Sequence, residues 1–161
     1  MARHCTVRVW LRTGRGALRL EGNLARLDAQ RVQAFIRSGL PMAEDMGFCV
    51  DALEEGRARA RMPYHGRMLR PGGTISGPTI MALADATMYA VILGHLDNVE
   101  MAVTSNLNIN FLSRPRQEDL IAEARILKQG RRQVVCEVSV FSAGNADELV
   151  AHVTGTYVLP A

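Results

Sequence analysis

Aromatic residues are scarce, at 5% of the 161 residues, and Trp10 is the single tryptophan. A chain so poor in rings offers few stacking platforms for single-stranded nucleic acid. Cysteine is equally thin. Cys5, Cys49 and Cys136 are odd in number, far apart and form no CxxC pair. That pattern excludes a disulfide framework and a thiolate zinc site, and it fits reduced thiols in the cytoplasm. Four scattered histidines give no metal-ligand spacing, so no metal is expected. No apolar run reaches the ~18 residues of a membrane span, so no membrane partner is expected. Acidic residues are missing from residues 1–20, which carry five arginines. Without them 14 basic face 16 acidic residues, and the net charge of +3 becomes −2. The basic character therefore belongs to the amino terminus, and it gives no reason to infer a nucleic-acid partner.

What is present describes one folded domain. Hydrophobic residues make up 48% and charged residues 22%, enough for a core without staples. Residues 1–24 form an Arg-rich extension with no assigned role, and residues 25–161 read as the domain. Asp28 caps a short helix with apolar positions Val32, Phe35, Ile36 and Leu40, which Gly39 and Pro41 end. Two short strands follow, about 47–53 and 57–62, then a Gly/Pro-rich loop over 63–76. One long apolar helix spans about 78–93, with Ser76 as its cap and Pro78 in its first turn. From there the period is two: strands at 103–112, 120–128, 133–141 and 149–159, with turns at Gly130-Arg131 and Gly144-Asn145. Strands in direct succession beside one long helix predict an antiparallel α+β architecture.

The long helix is apolar nearly all the way round, yet Asp85 falls in its stripe Met81, Asp85, Met88, Ile92. An unpaired carboxylate in such a setting is costly, and apolar surroundings strengthen it as a base. The bland alternative is a carboxylate on a wet edge of the helix, or one bonded to sheet backbone. At the helix start, Gly77 keeps an N–H that Pro78 lacks, and free first-turn amides favour developing negative charge. Eight residues separate Gly77 from Asp85, about 12 Å along a helix. One reacting carbonyl could meet both only if two helices ran antiparallel across a two-fold axis, which predicts a dimer with shared sites.

Ser76-Gly77-Pro78, four residues, then Leu83-Ala84-Asp85-Ala86 resembles the HGG-x4-LAD motif of hotdog-fold acyl-CoA thioesterases, in the PaaI-like subgroup of phenylacetate-pathway and 4-hydroxybenzoyl-CoA thioesterases. The strand Val103–Leu112 and the Gly-Arg-Arg hairpin at 130–132 are similar too. The resemblance implies an antiparallel sheet wrapped around the central helix, and a homodimer assembling to a tetramer. It also implies hydrolysis of a small or medium, including aromatic, acyl-CoA with no metal or organic cofactor. Asp85 would fall on the nucleophile or general base, and Gly77 on the glycine whose amide polarises the thioester carbonyl. Ser76 stands where the family has histidine, and His65 in the preceding loop is a nearby candidate, or simply an exposed loop side chain. For CoA phosphates the candidates are Arg114, Lys128, Arg131 and Arg132, against a solvated surface as the alternative. For the acyl group they are Met68 and Met88, against ordinary core. A non-catalytic acyl-CoA-binding protein on the same fold is the rival reading.

Overall fold

The computed structural model describes residues 28–160. Helix α1 (Ala29–Gly39) is capped by the Asp28 side chain, which accepts from the Arg31 N–H at 2.8 Å, and it buries Val32 and Ile36. The chain does not leave the helical region at Pro41. Proline there opens a second short helix, α2 (Pro41–Asp45), where its missing N–H is no loss. Strands β1 (Cys49–Glu54) and β2 (Arg57–Met62) form a hairpin, closed by Gly56 at φ +65°. In β2 the alternation holds, with Ala58, Ala60 and Met62 buried.

The loop expected over 63–76 is more ordered than its glycines suggest. It contains a single 3-10 turn (Gly66–Met68) and a miniature hairpin of β3 (Leu69–Arg70) and β4 (Thr74–Ile75). Helix α3 (Gly77–His95) follows, then β5 (Val103–Phe111), β6 (Leu120–Gln129), β7 (Gln133–Ser142) and β8 (Asn145–Val158). Six strands build one antiparallel sheet in the order β1-β2-β6-β7-β8-β5, and α3 packs against all six. The buried faces of β6, β7 and β8 meet Leu83, Met88 and Ile92 of the helix in one core.

Two expectations need correction here. By length and composition α3, with a mean hydropathy of 1.3 over its 18-residue window, is apolar enough to cross a membrane. Most of that window is buried inside this fold, which is why the helix is apolar. The strict alternation read through β5 also fails at its start. Leu107 and Ile109 turn toward the core, but a bulge at Ser105 places Thr104 opposite Tyr157 and Asn106 opposite Thr156. One extra residue inverts the side-chain parity upstream, so Val103 is exposed and Thr104 faces the helix. The outer edge of β5 carries no sheet partner among the described residues, and nearly all its side chains are exposed.

Candidate active site

Asp85 lies mid-way along α3, half-buried, opposite the bulged start of β5. Thr104 Oγ1 donates to Asp85 Oδ1 at 2.8 Å, and the Tyr157 hydroxyl donates to the same oxygen at 2.8 Å. The phenol also lies 3.1 Å from the Asp85 carbonyl oxygen. Two donors on one oxygen fix the rotation of the carboxylate. Oδ2 has no hydrogen bond among the described residues. Tyr157 itself is buried. Burial, and then the negative charge of Asp85, push its acidity far below that of an ordinary phenol, so it stays protonated and keeps its donor role.

Around this carboxylate an open groove of about 520 Å³ runs between α1 and the 100–104 segment. Tyr89 lies along it, its ring stacked on Tyr157 with centroids 6.0 Å apart and its hydroxyl donating to the Glu100 carbonyl at 2.6 Å. Phe35 of α1 tilts against Tyr89, with ring centroids 6.4 Å apart.

The remaining candidates are dispersed. Gly77 is the first residue of α3, so its N–H belongs to the first-turn donors that the helix itself cannot use. A Cβ at Gly77 would stand 3.1 Å from Cζ of Phe111, so the approach of that ring favours glycine. Ser76 occupies the cap position, but its hydroxyl pairs with Thr79 Oγ1 at 2.9 Å and bonds no backbone N–H of the helix. His65 is half-buried rather than an exposed loop residue. Both ring nitrogens are shielded from solvent, and neither has a hydrogen-bond partner among the described residues. Met68 and Met88 are wholly buried in the core and present no surface to the groove.

Lys128, Arg131 and Arg132 are exposed near the β6–β7 turn. The Arg132 carbonyl accepts from the Leu159 N–H, which places the turn at the Tyr157 end of the sheet. Arg114, also exposed, follows the opposite end of β5, the end that carries Phe111 beside Gly77. Within one chain the four cations therefore do not converge. Burial pushes the Cys136 thiol up to about 12, which leaves it no nucleophile at neutral pH. Among the described residues no three His, Cys, Asp or Glu side chains group as metal ligands.

Thr104 and Tyr157 escape a reading by motif. Thr104 depends on the bulge, and Tyr157 lies in a strand with no motif of its own. A usable signal for Tyr157 is its parity with Val153 and Gly155 on the buried face, because a buried phenol needs a partner.

An antiparallel sheet wrapped on one buried helix, with a clamped carboxylate opening on a groove, defines a hotdog-fold protein of the thioester-hydrolase class. Comparison with known proteins agrees. The thioesterase superfamily profile matches residues 72–148. A protein of Saccharolobus solfataricus named as a candidate esterase is 33% identical over 115 residues, 71% of this chain and 74% of that one. The crystal structure of a candidate thioesterase from Silicibacter sp. TM1040 is similar at 37% identity and a TM-score of 0.74, covering 83% of this chain and 92% of that one. The PaaI protein of the Escherichia coli phenylacetic acid degradation operon shares the fold at 23% identity, a TM-score of 0.71, and coverage of 83% and 94%. The chain belongs to the thioesterase superfamily.

Proposed function

We propose that this protein is a PaaI-like acyl-CoA thioesterase that hydrolyses small or medium acyl groups, aromatic ones included, to free acid and CoA. The clamping of Asp85 Oδ1 by Thr104 and Tyr157 carries the reading, since it fixes a carboxylate that lines a groove. Oδ2 takes a proton from water as the water oxygen attacks the thioester carbon. The carbonyl electrons move to oxygen and are held by the Gly77 amide of a second copy. An amide donor of this kind contributes about 3 kcal/mol. Collapse of the tetrahedral adduct breaks the C–S bond, and the CoA thiolate takes the proton back from Asp85. No metal or organic cofactor has a part in this scheme.

The second copy is needed because eight residues of helix separate Gly77 from Asp85, about 12 Å. The long exposed edge of β5 supports it as well, since such an edge is a template for pairing with another strand. We infer a homodimer through β5, assembling to a tetramer. An antiparallel β5 pairing would carry the Gly77 end of one copy, with its Arg114, toward the Lys128, Arg131 and Arg132 end of the other. There the cations would meet the CoA phosphates. The free thiols of Cys49 and Cys136 suit the cytoplasm.

The test is thiol release from a panel of short, medium, long and aromatic acyl-CoAs. Turnover of some members supports the enzyme. Tight binding of all with turnover of none favours the rival, a non-catalytic acyl-CoA-binding protein. Within that assay Tyr157→Phe is informative, because it removes one donor to Asp85 while keeping the ring stacked on Tyr89. The expected result is a fall in kcat of about tenfold with KM nearly unchanged, the signature of a group that positions the base.

A further inference from the structure

The groove beside Asp85 has a chemical character of its own. Its walls are large apolar side chains left exposed to solvent: Phe35, Leu40, Met101 and Val103, at 39%, 41%, 76% and 59%. Scattered exposed hydrophobics are ordinary, but four on one concave surface mark a site for an apolar ligand. Its floor is rigid, because Tyr89 is tethered to Glu100, stacked on Tyr157 and flanked by Phe35. At about 520 Å³ it falls in the range of pockets that hold a whole small-molecule ligand, roughly 300–1,000 Å³. An acetyl group would leave most of it to water.

Its charge is also one-sided. Among the described residues Asp85 and Glu100 line it, and no Lys, Arg or His does. Burial first, and then the negative charge of Glu100, push the Tyr89 phenol above its ordinary range, so that charge reaches the floor. Such a surface repels the phosphates of CoA, which assigns the groove to the acyl half of the thioester. It equally repels an acyl group that ends in a second carboxylate, because a desolvated anion there would meet two others and, among the described residues, no cation.

We propose that the groove between α1 and the 100–104 segment is the acyl site, and that it selects uncharged apolar acyl groups of medium length over both acetyl and carboxylate-terminated ones. This rests on the reading of Asp85 as the acting carboxylate. The walls named here replace Met68 and Met88, which the core has absorbed.

The test compares octanoyl-CoA, acetyl-CoA and suberoyl-CoA, the last matched in length to octanoyl but ending in a carboxylate. Octanoyl-CoA is expected to lead both in kcat/KM by about tenfold or more. Met101→Lys places a cation at a wall position that is mostly solvent-exposed, so it does not threaten the fold. It should lower the octanoyl rate, raise the suberoyl rate and narrow the ratio between them. Equal turnover of octanoyl- and suberoyl-CoA, or a ratio that ignores Met101→Lys and Leu40→Asp, overturns the proposal. Calorimetric binding of the same esters and of CoA to Asp85→Asn separates it from the hydrolase reading. Octanoyl-CoA that binds more tightly than CoA, with the difference lost on adding Met101→Lys, supports the groove even if no ester is turned over. Octanoyl-CoA that binds no more tightly than CoA overturns the groove whatever the rate.

Discussion

Asp85→Asn is expected to reduce thiol release about a thousandfold, the usual scale for losing a general base, equivalent to about 4 kcal/mol on the barrier. The substitution is nearly isosteric. The amide oxygen still accepts from Thr104 and Tyr157, so the helix, the clamp and the groove stay in place. Only the capacity to take a proton from water disappears. KM should therefore move by no more than about threefold while kcat collapses. The thermal midpoint should stay at or above that of the parent, because a half-buried carboxylate with no cationic partner among the described residues adds little to stability. Turnover that survives in Asp85→Asn would end the mechanism proposed here, and a parallel loss of binding would assign Asp85 to structure instead of chemistry.

Met88→Ala tests the opposite kind of role. Met88 is fully buried, and its sulfur and terminal methyl press so closely on β8 that a Cβ added at Gly155 would lie 2.7 Å from either atom. Truncation leaves a cavity between α3 and the sheet and should cost about 3 kcal/mol, lowering the thermal midpoint by about 10 °C. KM for a medium-chain ester should change by less than about twofold, since the residue offers no face to the groove. A large rise in KM with an unmoved midpoint would restore Met88 to the acyl site.

Much of this architecture is legible before any coordinates. The alternation of Ala58, Ala60 and Met62, and of Val134, Cys136, Val138 and Val140, places the buried faces of β2 and β7 correctly. Period-two burial is a local property that a strand writes into its own residues. The single acidic residue on an apolar helix marks Asp85 for the same reason. What stays hidden depends on distant partners. Pro41 reads equally as the end of one helix and the start of the next, and nothing within 63–76 announces that the ring nitrogens of His65 will be shielded. The cap at Ser76 fails because Thr79 offers its hydroxyl a competing partner. Methionine is the hardest case, since a flexible apolar side chain suits a core and a ligand pocket equally well.

The irregularity at Ser105 has a consequence for how this site is inherited. No functional side chain comes from Ser105, yet its presence decides whether Thr104 points at Asp85 or at solvent. A chain that kept Asp85, Thr104 and Tyr157 but lost one residue between Thr104 and Asn106 would gain a more regular strand and lose a donor to its carboxylate. Part of the proposed site is thus stored as a number of residues and not as any residue's identity. In-frame insertion or deletion at this point would therefore be judged by natural selection as severely as a substitution in the clamp itself.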